Sequence, residues 1–199
     1  MTEPARHAAS GAPAEPTQRP RIVLVGPMGA GKTTVAALLG ERWGVPVRDT
    51  DHDVEAIAGK PISDIFVEDG EARFRGLERD AVAAALAAHR GVLALGGGAV
   101  LDPGTREALR GHRVVFLRVG LGDAVKRVGL GAGRPLLLGN VRSRIKATLD
   151  ERLPIYTAVA ELAVDTDGRP PEDVADEVAR LTETVERSAE RDEEARSHG

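Results

Sequence analysis

The stretch Arg21-Ile22-Val23-Leu24-Val25-Gly26-Pro27-Met28-Gly29-Ala30-Gly31-Lys32-Thr33 decides how this chain reads. Its second part has the form G-x-x-x-x-G-K-[ST]: glycines let backbone N–H groups curl around phosphates, the lysine reaches the β- and γ-phosphates, and the threonine hydroxyl ligates Mg²⁺. Such a loop needs a buried strand before it and a helix after it. Ile22, Val23, Leu24 and Val25 form a continuous apolar run of the first kind. Val35, Leu38, Leu39 and Trp43 are spaced for one face of a helix, whose N-terminal dipole adds to the anion site. Lysine is scarce, at positions 32, 60, 126 and 146 only, so its place in the motif is no by-product of a lysine-rich composition. The segment reads as a nucleoside triphosphate site.

Composition narrows what surrounds it. A chain of 199 residues is sized for one domain with tails. The net charge of −4, with arginines scattered among acids, gives no attraction to nucleic acid. The absence of cysteine excludes a disulfide framework, a thiolate metal site and a cysteine nucleophile. No apolar run approaches the roughly 18 residues that span a bilayer, so the expectation is a soluble, unexported, cytoplasmic protein with no membrane partner. Residues 1–20 hold Pro4, Pro13, Pro16 and Pro20 and almost no large apolar side chains, and are expected to be a disordered extension. Residues 186–199 lack Leu, Ile, Val and Phe and are expected to be a charged tail or a frayed helix end.

Between these ends, over residues 21–185, short apolar runs alternate with helical patterns. Strands are expected at 22–25, 45–48, 92–95, 114–119 and 162–164, and helices at 33–43, 51–58, 62–68, 71–88, 103–109, 121–128, 141–159 and 171–185. The alternation predicts an α/β fold built on a parallel sheet. Gly129-Leu130-Gly131-Ala132-Gly133-Arg134-Pro135 is too rich in glycine for a helix, and predicts a mobile loop at about 129–140. Arg134 sits where an arginine would swing over the γ-phosphate as a lid closes.

Three further constellations fall at strand ends or on the helices that follow them. Asp49-Thr50-Asp51 closes the second expected strand, on the edge of an open α/β sheet where ligands bind. One carboxylate there can organise water on Mg²⁺ and the other can accept a hydrogen bond or proton from an attacking hydroxyl, although an N-cap and a turn aspartate suit the same residues. Arg75 and Glu78 lie one helical turn apart in Gly70-Glu71-Ala72-Arg73-Phe74-Arg75-Gly76-Leu77-Glu78, a spacing at which Glu78 orients a guanidinium for a planar carboxylate. Gly96-Gly97-Gly98-Ala99-Val100 follows the third expected strand, where three glycines mean close approach of a ligand or of neighbouring backbone.

Taken in order, these motifs resemble the shikimate kinase family: the phosphate loop, D-T-D at Asp49–Asp51, G-E-x-x-F-R-x-x-E at Gly70–Glu78, G-G-G-A-V at Gly96–Val100, R-P-L-L at Arg134–Leu137 and R-x-P-x-Y at Arg152–Tyr156. The series covers about residues 21–183. The resemblance implies a P-loop NTPase three-layer sandwich, with a five-stranded parallel sheet flanked by helices and a mobile lid loop. It implies transfer of the ATP γ-phosphoryl group to the 3-hydroxyl of shikimate, with one Mg²⁺ per subunit, by a monomer serving aromatic amino-acid biosynthesis. By the same resemblance Gly29, Ala30, Gly31, Lys32, Thr33 and Thr34 cradle the phosphates, Thr33 meets Mg²⁺ directly and Asp49 meets it through water. Asp51 holds the acceptor hydroxyl, and Arg75, Arg152 and the Gly97 backbone bind shikimate. Arg134 is the lid arginine, and Arg127 and Arg169 flank the adenine. Two departures stand out: Gly76 inside the helix that carries Arg75, and Ala158 where the family often has glutamate. A gluconate kinase on the same fold stays open, since gluconate also offers a carboxylate and hydroxyls, though the G-G-G-A-V and F-R-x-x-E series argue against it. A regulatory nucleotide-binding protein would show a damaged site, whereas Lys32, Thr33, Asp51, Arg75, Arg134 and Arg152 are all present.

Overall fold

Ile22–Val25 (β1), Val47–Asp49 (β2), Val92–Ala94 (β3), Val114–Arg118 (β4) and Leu162–Asp165 (β5) pair in parallel, in the order β2-β3-β1-β4-β5. A computed structural model describes residues 19–131 and 138–197; Arg134, the centre of the expected lid and residues 1–18 of the expected extension lie outside the described residues. The helices are Lys32–Trp43 (α1), Thr50–Ala58 (α2), the single turn Ile62–Asp64 (α3), Glu71–Ala88 (α4), Pro103–Ala108 (α5), Leu121–Gly131 (α6), Leu138–Val159 (α7) and Pro171–Ser197 (α8).

Each strand sends alternate side chains to opposite faces, so near-continuous apolar runs serve two cores at once. Ile22, Leu24, Val92, Ala94, Val115 and Leu117 pack on one face beneath Val35 and Leu39 of α1, Ala124 of α6 and Val174 and Val178 of α8. Val23, Val25, Leu93, Leu95 and Phe116 pack on the other beneath Val82 and Leu86 of α4 and Tyr156 of α7. A third, smaller cluster of Val54, Ile65, Phe74, Leu77 and Ala81 ties α2 to the first half of α4.

The structure corrects several expected boundaries. β2 begins at Val47 instead of residue 45 and reaches Asp49, because Val45 N–H is bonded to Gly40 O at the end of α1 and Pro46 has no N–H to give the sheet. The helix expected at 62–68 divides into α3 and a π-type turn, Ile65–Asp69, closed by the Gly70 N–H on Ile65 O at 3.0 Å. Helix α6 continues through Gly131, past the loop start expected at 129; a glycine costs a helix about 1 kcal/mol, which extension of an existing helix absorbs. Helix α7 begins at Leu138, three residues before the start expected at 141 and within the expected lid. The helix expected to stop at 185 runs to Ser197, so of the tail or helix end expected from 186 the helix end is what is found. Its first residue, Glu186, bonds Arg21 at 3.1 Å and Arg113 at 3.0 Å. Of the expected extension, Pro20 is buried, and the exposed Arg19 donates from Nη1 to Gly111 O at 3.2 Å.

Two glycines separate close approach from free space. A Cβ at Gly91 would lie 1.8 Å from Pro46 O, where the start of β3 meets the segment before β2. A Cβ at Gly76, inside α4, would meet nothing within 4 Å. Urea denaturation is therefore expected to show Gly91→Ala losing about 3 kcal/mol or more and Gly76→Ala gaining about 0.5–1 kcal/mol.

Candidate active site

The order β2-β3-β1 brings the carboxyl ends of three strands to one crevice. At the end of β1 the backbone turns at Gly26, where a Cβ would lie 2.5 Å from Leu117 O on β4, so only glycine fits. The loop closes at Gly31, with a φ of 88°, and α1 starts at Lys32. Lys32 Nζ donates to Gly26 O at 2.8 Å and Pro27 O at 3.1 Å, which holds the ammonium at the loop's mouth. Burial pushes the Lys32 pKa down, opposed by the charges of Asp51 and Asp49.

The end of β2 is tied to this loop by Thr33, whose hydroxyl donates to Asp49 Oδ2 at 2.7 Å. The other oxygen, Asp49 Oδ1, accepts from Asp51 N at 3.0 Å and caps α2. Asp49 is therefore both the N-cap and a partner of the phosphate loop. Burial, with the nearby Asp49 charge, pushes the Asp51 carboxyl above its usual range. Between them Thr50 is fully buried and its Oγ1 accepts from Gly96 N at 3.0 Å, stitching the end of β2 to the end of β3.

Beyond β3 the glycines make room for side chains of other elements. A Cβ at Gly96 would lie 2.3 Å from Asp51 Oδ1 and 2.9 Å from Glu78 Oε1, and one at Gly98 would lie 2.2 Å from Arg75 Nη1. Arg75 donates to Glu78 at 2.6 Å and to Glu71 at 3.3 Å, and its guanidinium carbon lies 5.1 Å from the Phe74 ring centre. The Glu78 side chain is only 5% exposed. Burial pushes its pKa up, opposed by Arg75. From α7, Arg152 Nη1 donates to Gly97 O at 3.1 Å, while its buried Nε has no partner among the described residues.

The result is a cleft of about 750 Å³ in which Lys32, Thr33, Asp49, Asp51, Arg75 and Arg152 face one space, together with Gly29, Gly31, Thr34 and Gly97. That is the size and mixture of a small-molecule site. Ala30 is buried behind the loop. Arg127 does not line the cleft; its guanidinium donates to Gly29 O at 3.1 Å, Thr166 O at 2.6 Å and Asp123 at 3.1 Å, joining the phosphate loop to the turn after β5. Arg169 also lies off the lining, bonded to Asp165 O at 3.0 Å, Asp173 O at 2.9 Å and Glu177 at 2.6 Å at the start of α8. Arg134 is outside the described residues.

Among the described residues no group of three or more His, Asp or Glu could by itself hold a metal ion. Thr33 and Asp49 instead form a sparse pair of hard oxygen ligands, the donor set that suits Mg²⁺ completed by phosphate oxygens and water.

Sequence reasoning missed the bridging role of Thr50 and the cleft-lining Phe66, Arg144 and Thr148. Tyr156 is visible in the sequence only as the last residue of R-x-P-x-Y. Arg144, Thr148, Arg152 and Tyr156 recur every fourth residue, which marks one face of α7 and was a readable signal.

A parallel sheet with this phosphate loop after β1, and a cluster of carboxylates, arginines and glycines gathered at the ends of β2 and β3, is the architecture of a P-loop kinase. The shikimate kinase family model matches residues 28–183, and the chain belongs to that family. It is 65% identical over 162 residues to the shikimate kinase of Salinispora arenicola, covering 81% of this chain and 97% of that one. It is 58% identical over 164 residues to the shikimate kinase of Thermobifida fusca, covering 82% and 95%. Among solved structures, the shikimate kinase from Acinetobacter baumannii in complex with shikimate superimposes with a TM-score of 0.78 at 34% identity, over 85% of this chain and 95% of that one.

The Thr50 bridge gives a direct test. Thr50→Val keeps the shape but leaves the buried Gly96 N–H unpaired, and is expected to cost about 1–3 kcal/mol of stability by denaturant titration, while Thr50→Ser is expected to retain most of it.

Proposed function

We propose that this chain transfers the γ-phosphoryl group of ATP to the 3-hydroxyl of shikimate, giving shikimate 3-phosphate and ADP, as a cytoplasmic monomer in aromatic amino-acid biosynthesis. The observation that carries this is the single cleft in which Lys32 and Thr33 face Asp51, Arg75 and Arg152. Two guanidiniums suit one carboxylate, and the unpartnered Nε of Arg152 is a donor in want of an acceptor. The solved relative in complex with shikimate supports the choice of acceptor. In this reading the kinase domain spans residues 21–185, with Pro20 and the continuation of α8 packed at its edges.

Residues from Gly29 to Thr34 cradle the triphosphate, and Lys32 leaves its loop carbonyls for the β/γ oxygens. Arg75 and Arg152 clamp the acceptor carboxylate with the Gly97 backbone, which points the 3-hydroxyl at Asp51. Asp51 accepts the hydroxyl's hydrogen bond and takes its proton as the oxygen bonds to phosphorus and the bond to ADP breaks. Burial and the Asp49 charge raise its pKa, which makes it a better base than an exposed aspartate. Arg134 covers the transferring group from the lid, and Arg127 and Arg169 flank the adenine. Mg²⁺, one per subunit, would be held by Thr33 and, through water, by Asp49; when bound it neutralises charge on the β- and γ-phosphates.

The test is ADP release from MgATP with shikimate, gluconate or no acceptor. Shikimate-dependent turnover, lost in Lys32→Ala, is expected; turnover with gluconate alone would overturn the carboxylate clamp. Asp51→Asn is expected to lower kcat by about 100-fold or more with ATP binding nearly intact, and near-wild-type turnover would remove Asp51 from the acceptor side. Because its pKa is raised, kcat/KM is expected to fall on acidification at a pH above the ordinary carboxylate range, as the base becomes protonated.

A further inference from the structure

The Gly96-Gly97-Gly98 backbone can be accounted for group by group. Gly96 O accepts from Ala99 N at 3.1 Å and Gly98 O from Leu101 N at 2.9 Å. Gly97 O accepts twice from α7, from Arg152 Nη1 at 3.1 Å and from the Tyr156 hydroxyl. Gly96 N–H is taken by Thr50 Oγ1, while the N–H groups of Gly97 and Gly98 have no protein acceptor among the described residues. Gly97 and Gly98 both line the cleft. The segment therefore offers two free donors beside Arg152, with all three carbonyls already engaged.

Peptide planarity couples these facts. The carbonyl of Gly97 and the N–H of Gly98 belong to one trans peptide unit and point in opposite directions, so whatever fixes the first aims the second. Glycine itself imposes little on that plane, having the widest backbone freedom of any residue. The turn bond from Ala99 N to Gly96 O restrains it from within the segment, and the two donors on α7 hold the Gly97 carbonyl directly. Of the two, Arg152 also has work facing the cleft, whereas Tyr156 is 1% exposed and packed on Phe116 with ring centres 5.0 Å apart. Its side chain has no route to the ligand.

We propose that Tyr156 is a positioning residue for the phosphoryl acceptor: by donating to Gly97 O beside Arg152, its buried hydroxyl sets the glycine peptide plane and the Arg152 guanidinium that together bind the acceptor's oxygens. The inference rests on the shikimate reading above. Burial pushes the phenol's pKa up to about 12, so it stays a neutral donor throughout the working pH range.

The experiment compares Tyr156→Phe, which removes only the hydroxyl, with Phe116→Leu, which loosens the same stack and keeps it. In Tyr156→Phe the KM for shikimate is expected to rise about three- to tenfold, the loss of one buried hydrogen bond, with the KM for MgATP and calorimetric ADP affinity within about twofold of wild type. Phe116→Leu is expected to lower thermal stability and leave the shikimate KM near wild type. An unchanged shikimate KM in Tyr156→Phe, an equal rise in Phe116→Leu, or a matching loss of ADP affinity would overturn the positioning role. Absence of shikimate turnover in the wild-type enzyme would overturn the underlying reading instead.

Discussion

The insertion of β3 between β2 and β1 is the constraint on which the rest depends. Because all three strands run parallel, their carboxyl ends open on one edge, and the chain leaving each contributes a different kind of group. β1 gives the backbone cradle of the phosphate loop. β2 gives the paired carboxylates Asp49 and Asp51, and β3 gives a bare glycine backbone. Thr33 on Asp49 and Gly96 on Thr50 then lock these ends to one another at hydrogen-bond distance. The spacing of the groups around the crevice is set by the sheet itself, at about 4.8 Å between neighbouring strands.

That arrangement brings several charges out of water, and its electrostatics are balanced in pairs. Glu78 is nearly buried and would be costly alone, but Arg75 at 2.6 Å compensates it and is itself aimed by it. Lys32 is disfavoured as a cation by burial and favoured by Asp51 and Asp49. Removing one member of such a pair costs more than the pair contributes, which makes these residues hard to replace singly. The glycines at 96 and 98 belong to the same balance, since any side chain there would occupy the space of Asp51, Glu78 or Arg75.

Much of this was legible in the sequence. The apolar run Ile22–Val25 before G-x-x-x-x-G-K-T fixed the first strand, loop and helix, and the alternation of apolar runs with helical stretches gave the five parallel strands. Strand order was not legible, because it arises from contacts between segments tens of residues apart. The first residue of β2 was missed because Val45 reads as a strand former but bonds to α1, a tertiary override of local preference. Whether the helix continued beyond Val185 or gave way to a tail was left open because residues 186–197 have no apolar face, while the pairing of Glu186 with Arg21 and Arg113 joins positions remote in sequence. Tyr156 stood in the sequence only as the last residue of R-x-P-x-Y. Only the geometry revealed where its hydroxyl ends, although its place in the Arg144, Thr148, Arg152 series was available to the eye.

With donor and acceptor together in this one cleft, as proposed above, the phosphoryl group passes directly from ATP to the acceptor oxygen without resting on Asp49, Asp51 or any other side chain. Stereochemistry at phosphorus tests this most directly, using ATP made chiral at the γ-phosphoryl group with oxygen isotopes and shikimate as acceptor. A single in-line displacement predicts inversion in the phosphorylated product. Retention would mean two displacements through a phosphorylated enzyme, and would contradict the account.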